Sequence, residues 1–283
     1  MSKFKPDFSL IKLWDESLNQ TLPYKAPFVS EFKKASRSLR FIAARHEGNT
    51  QSPTLKTVRS EFDRFKPEVV ILEGMPNTGE TSPNWYLTHC LSQQEDNFKS
   101  GGEASYACTL AGKRNIKFVT GEPPLSELVT GIIGQGFELN DVIGWMIFCQ
   151  LAQHSQAHDI YEQSAENIAN QISHNVSKFS NKNTQPWSID TFNTWYESKM
   201  GKRFSVQDID TESLSPSTND DASFLQKVMN AADQIREPHI LKVIAEQLSL
   251  HERVLVVYGA AHLGKQQHAL SAMTSEPEHY KPY

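Results

Sequence analysis

The stretch Arg253-Val-Leu-Val-Val-Tyr-Gly-Ala-Ala-His-Leu-Gly264 decides how the chain folds. Val254 to Tyr258 are apolar and mostly β-branched, a run that suits a strand buried on both faces of a parallel sheet. Gly259 ends the run and permits a sharp turn. His262 follows three residues later. In open α/β sheets, ligands gather outside the carboxyl ends of the strands. The spacing therefore sets His262 on the rim where chemistry is done.

Three other stretches share this pattern. Leu39–Ala44 runs into Arg45-His46-Glu47-Gly48, Val69–Leu72 into Glu73-Gly74, and Ile116–Val119 into Thr120-Gly121-Glu122-Pro123. One His or Glu after a strand is ordinary, since loops carry many such residues with local hydrogen bonds. Four such endings in one chain point to a shared site built from His46, Glu73, Glu122 and His262.

The whole chain has 283 residues, a net charge of −5 and a pI near 6.1. That length can bury a substantial core. No basic stripe accompanies the mildly acidic balance, so nucleic acid is not an expected partner. Cys90, Cys108 and Cys149 are odd in number and far apart in sequence, which fits reduced thiols better than a disulfide framework or a Cys-rich zinc site. Met1 to Pro6 lacks the apolar run of a signal peptide. The most apolar later segment, Val142 to Ala152, is far shorter than the roughly 20 residues of a membrane span. The expectation is a cytoplasmic protein with no membrane span, acting on a small-molecule or peptide substrate.

Taken in order, the chain predicts short helices over Ser9–Leu18 and Phe28–Ala35 as a lead-in. Pro53 and the spacing of Leu55, Val58, Phe62 and Phe65 mark a helix between the first two strands, hence a β-α-β unit with parallel strands. Residues 75–100 read as a polar loop or partly helical insertion. Further helices are predicted over 102–113, 125–133 and 141–170. Residues 171–222 are polar but carry Trp187, Phe192, Trp195, Tyr196 and Phe204, too many aromatics for a disordered tail. They read as a small helical cap, its aromatics forming a pocket over the site. Within it, Asp208-x-Asp210-x-Glu212 reads as a solvated loop, falling short of an EF-hand. Helices over 221–235 and 239–250 lead to the last strand, and the residues after Met273 read as an unstructured tail. The fold class is α/β, an open and mostly parallel sheet flanked by helices with an inserted, mostly helical cap. The boundaries are 1–134 for the first part of the core, 135–222 for the cap, and 223–283 for the second part and tail. No Gly-x-Ser-x-Gly elbow exists, which argues against a conventional α/β-hydrolase.

Two His and two Glu at strand ends can work in two ways. His46, Glu73, Glu122 and His262 can bind a divalent metal such as manganese, zinc or iron. Without metal, a His can deprotonate water while a Glu orients it and a second His or an Arg stabilises the oxyanion. Arg236, on a late helix, suits that last role or clamps an anionic substrate group. Glu103 and Tyr106 open a helix that can point to the same rim and contact substrate.

These motifs resemble the Tiki/TraB (pheromone-shutdown, GumN-like) group within the erythromycin esterase/ChaN-like superfamily. That group has a Gly-x-x-His after the first strand, a Glu after the second, a Gly-Glu-Pro-like turn after the third, an Arg-Asp-type motif on a late helix and a closing Gly-x-x-His. Here they read Ala43-Ala-Arg-His46, Glu73, Gly121-Glu122-Pro123, Arg236-Glu237 and Gly259-Ala-Ala-His262. The first motif departs from the pattern, with Ala in place of Gly and Arg45 directly before the His, which implies a substrate contact at Arg45. The resemblance implies an open α/β fold. It implies one of three activities: a metal-dependent peptidase, an esterase that works without metal, or a haem-binding protein without catalysis. The first two agree with a hydrolase whose catalytic residues are His46, Glu73, Arg236 and His262.

Overall fold

The computed structural model describes residues 4–14, 18, 21–93, 98, 101–156, 162–179, 185–205, 209, 215–217 and 219–282. The segment Asp208 to Glu212 lies, apart from residue 209, outside them. The described residues form two compact units, one of residues 4–12, 18–124 and 236–282, the other chiefly of residues 125–235. The sequence places the boundaries at 134/135 and 222/223.

The first unit is built on a six-stranded sheet. Its strands are β1 (Phe28–Lys34), β2 (Arg37–Ala44), β3 (Val69–Leu72), β4 (Lys117–Thr120), β5 (Arg253–Gly259) and β6 (Glu278–Tyr280), in the order β4-β3-β5-β2-β1-β6. The pairs β4–β3, β3–β5 and β5–β2 are parallel, and β2–β1 and β1–β6 are antiparallel. The fold class is therefore the α/β class that the sequence indicates. The stretch Arg253–Gly259 is central to the parallel block, with β3 and β2 on either side. Its register sets Ala44 beside Gly259 and Leu72 beside Val257. His46, Glu73, Glu122 and His262 consequently leave the sheet from the same edge.

Successive residues of these strands face opposite sides of the sheet. Leu39, Phe41, Val69, Ile71, Val254 and Val256 pack with Ile240, Leu241, Ile244 and Leu270 on one face. Ile42, Val70, Leu72, Leu255 and Val257 pack with Leu55, Val58, Phe62 and Ala107 on the other. The helices supplying those layers are α1 (Pro53–Phe65), α2 (Asn84–Leu91), α3 (Gly102–Lys113), α8 (Phe224–Leu250) and α9 (Ala260–Met273). Helix α1 begins as its sequence dictates. The Ser52 hydroxyl accepts the Leu55 N–H at 3.3 Å, Pro53 takes the first turn, and Lys66 closes the helix in the left-handed region.

Four expectations change. Where a helix is expected over Phe28–Ala35, Phe28–Lys34 is a strand and Ala35 is in the turn that follows it. Phe28 and Phe32 do stand at helical spacing, but antiparallel pairing with β2 gives each of Phe28 to Lys34 a partner residue. The tail after Met273 contains β6, fixed to β1 by backbone pairing and by a 2.7 Å contact between Ser30 Oγ and His279 Nδ1. The two late helices are one, α8, with Pro238 inside it. A proline removes one backbone hydrogen bond, and the packing of Ile240, Leu241 and Ile244 on the sheet keeps the helix running past it. Of the described residues in the helix expected over Ser9–Leu18, Ser9 and Leu10 lie in a short 3₁₀ turn, Phe8–Leu10, capped by Asp7, residues 11–14 are irregular, and Leu18 is helical.

The second unit is helical among its described residues: α4 (Leu125–Gly134), α5 (Leu139–Gln156), α6 (Glu162–Ser177) and α7 (Ile189–Met200), with the first part of α8. Residues 157–161, where a single helix over 141–170 was expected to continue, lie outside the described set. The aromatics do not line an open pocket. Trp187, Phe192, Trp195 and Tyr196 are buried against one another and against Phe148, with partly buried Phe204 at their margin. A helical unit of this size needs its own apolar core, and these rings supply it. Among the described residues, no helix is long and apolar enough to cross a membrane.

Candidate functional site

Four strand ends and three helices of the first unit contribute to one cluster of acids and bases. Glu73, directly after β3, is central. Its Oε2 accepts the Gly259 N–H at 2.6 Å, and its Oε1 lies 3.2 Å from His262 Nε2 and 3.9 Å from Arg236. Glu122, two residues after β4, is held differently. Arg236 grips both its oxygens, Nε to Oε2 at 2.8 Å and a terminal nitrogen to Oε1 at 2.9 Å. The Gly74 N–H and the Tyr258 hydroxyl also donate to Oε1, at 3.2 and 3.3 Å. Gly121 is required here, because a Cβ at that position would collide with the buried Tyr258 hydroxyl.

His46 and His262 are held alike. The His46 Nδ1 lies 2.7 Å from Glu103 Oε1, and the His262 Nδ1 lies 2.7 Å from Glu237 Oε1. A ring nitrogen bound to a carboxylate fixes the imidazole's orientation and leaves Nε2 for other work. Both Nε2 atoms are turned toward the neighbourhood of Glu73. A Cβ added to Gly259 would meet His46 Nε2 at 3.2 Å and Glu73 Oε2 at 3.5 Å. The histidines differ in exposure: 65% of the His46 side chain is open to solvent, against 8% for His262.

The charges explain one another. The hydrogen bond to Glu103 and the charge of Glu73 push the His46 ring up to about 10, with part of that attraction screened by solvent. Burial works against the His262 imidazolium, but Glu237 and Glu73 outweigh it and push the ring up to about 9. Burial likewise works against ionised Glu73, yet His262, His46 and Arg236 hold it well below the usual carboxylate range. Glu237 is held low against burial by Lys265 and His262. Glu122 is lowered against burial by Arg236. Four carboxyl groups (Glu73, Glu103, Glu122, Glu237) thus face four basic groups (His46, His262, Arg236, Lys265).

Of the expected residues, the structure brings together His46, Glu73, Glu122, Arg236 and His262. Glu103 also belongs to the cluster, buried and bound to His46, with the Glu47 N–H on its other oxygen at 3.3 Å. Tyr106 is a core residue, packed on Phe98, with its hydroxyl accepting from Arg59 at 2.7 Å. Arg45 is exposed, and its carbonyl accepts from Thr54. Sequence reasoning named Glu237 only as the second residue of the Arg236-Glu237 motif, without a role of its own, and gave no role to Lys265 or Gln266. The available signals were that motif and the spacing of His262, Lys265 and Gln266, which puts them on one helix face.

The donors fit a divalent cation. Among the described residues, His46, Glu73 and Glu103 form the one group whose ligand atoms all lie within 4.8 Å of one another. Loss of both imidazole protons would leave the cluster at minus two, the charge that one such cation restores. Glu122, gripped by Arg236, lies outside that group. No protein-family description, curated protein or solved structure matches the chain.

Proposed function

We propose that the protein is a hydrolase, esterase- or peptidase-like, whose His/Glu cluster at the carboxyl ends of β2, β3 and β5 activates water against a small-molecule or peptide substrate. One observation carries this reading: each imidazole is fixed at Nδ1 by a buried carboxylate and presents Nε2 to the neighbourhood of one central carboxylate, Glu73. Exposed His46 is the group that water and substrate can reach. Once Nε2 has released its proton, it takes a proton from the attacking water. Glu103 orients the His46 ring, and Arg236 supplies positive charge against the developing oxyanion. The order of motifs agrees with the resemblance to the Tiki/TraB and erythromycin esterase-like proteins.

A divalent metal held by His46, Glu73 and Glu103 would supply Lewis-acid polarisation and allow the same attack at neutral pH. The close grouping of those three donors favours this version, with manganese, zinc or iron as candidates. The deciding experiment measures turnover of aryl esters and short peptides by the wild type and by Glu73→Gln, with and without added manganese, zinc or iron, beside elemental analysis. Turnover that falls by about 10²-fold or more in Glu73→Gln supports the reading. Equal turnover in both, or none on either substrate class under any metal condition, sinks it.

A further inference from the structure

His262, Lys265 and Gln266 stand at i, i+3 and i+4 on α9 and so share one face of that helix. All three are buried, and all three reach one carboxylate on α8. Glu237 Oε1 takes His262 Nδ1 at 2.7 Å and Lys265 Nζ at 2.5 Å, and Oε2 takes Gln266 Nε2 at 2.5 Å. A buried carboxylate is stable only when it is paired and hydrogen-bonded. Lys265 supplies the countercharge, Gln266 fills the second oxygen, and together they fix the oxygen that His262 meets.

Beyond the ring the contacts continue. His262 Nε2 meets Glu73 Oε1 at 3.2 Å, and the other Glu73 oxygen is tied to the Gly259 backbone. A line of contacts therefore runs from the interior, through Glu237 and His262, to the carboxylate beside exposed His46. Both nitrogens of His262 are committed and its side chain is 8% exposed, whereas His46 has one carboxylate partner and an open ring.

We infer that Glu237 and Lys265 are positioning residues that lock the His262 ring, and that His262 in turn holds Glu73 while His46, of the two histidines, is the one that meets substrate. The role of His46 rests on the hydrolase reading; the locking of His262 stands independently of it.

The test is the ring-nitrogen spectrum of the full-length, ¹⁵N-labelled protein, read by long-range proton–nitrogen correlation. The expected result is a far-downfield Nδ1–H for His262 that exchanges with water at least about ten-fold more slowly than the His46 ring proton. Glu237→Gln removes that resonance and leaves His46 in place. Gln266→Met, a milder change of similar volume, shifts it in the same direction by less. A His262 proton that exchanges as fast as that of His46, or that is unmoved in either variant, overturns the inference. Absence of hydrolysis with His262 still protected counts against the hydrolase reading alone.

Discussion

The pairs His46–Glu103 and His262–Glu237 have the same chemistry and the same 2.7 Å contact, but one is open to water and the other is enclosed. In the enclosed pair the carboxylate is matched by Lys265 and Gln266, and removing Glu237 or Lys265 strands a charge in the interior. In the open pair water can replace a lost partner. Exposure, and not hydrogen-bond length, decides whether an imidazole–carboxylate pair serves stability or reactivity.

The largest expected contrast is in stability. Glu237→Ala leaves the Lys265 ammonium buried without its partner and should cost about 3–5 kcal/mol, whereas Glu103→Ala should cost about 1 kcal/mol. Urea unfolding of the two variants measures the difference, and equal losses would break the comparison. The glycines beside the histidine-bearing segments sharpen it. Gly121→Ala drives a methyl against the fully buried Tyr258 and should destabilise by about 1–3 kcal/mol. Gly259→Ala meets the exposed His46 ring, which can swing aside, so its effect should appear in turnover more than in the unfolding midpoint.

The pH dependence of stability is a third contrast. The pKa of His262 rises on folding from the ordinary 6.5 to about 9, so its contribution is complete below about pH 6.5 and is lost as pH rises through about 9. Glu73 and Glu237 are depressed, so their contributions are present above the ordinary carboxylate range and are lost in acid. Wild-type stability should therefore fall between pH 6.5 and 9 by about 1–3 kcal/mol more than that of His262→Asn. Parallel curves in urea titrations at the two pH values would contradict the assignment. Metal-free turnover should move the other way, rising with pH as His46 releases its proton. The smallest effect belongs to Tyr258→Phe, which deletes one 3.3 Å hydrogen bond to Glu122 and should cost about 0.5–1.5 kcal/mol by thermal unfolding.

The parallel block of the sheet was legible because each of its strands is a short apolar run closed by a polar ending. β1 was hidden for two reasons. Its Phe28 and Phe32 mimic helical spacing, and the connection to β2, Ala35-Ser36, has none of the Asn-Gly chemistry that advertises a hairpin. β6 is three polar or amphipathic residues whose strand character exists only against β1. In the site, His46, Glu73, Glu122 and His262 were legible from strand position. That Glu122 is bound by Arg236, and that Glu103 holds His46, depends on side chains far apart in sequence. Glu237 was legible only as the second residue of the Arg236-Glu237 motif and Lys265 not at all, for the same reason: their pairing lies in the packing of α8 against α9.

The most direct measurement compares His46→Asn with His262→Asn, each scored for turnover on one responsive substrate and for unfolding free energy. The expected result is that His46→Asn loses at least about 10²-fold in turnover with a stability loss of no more than about 1 kcal/mol, and that His262→Asn loses more stability than that. Wild-type turnover in His46→Asn, or a stability loss larger there than in His262→Asn, would contradict the division between an open, reacting histidine and an enclosed, supporting one.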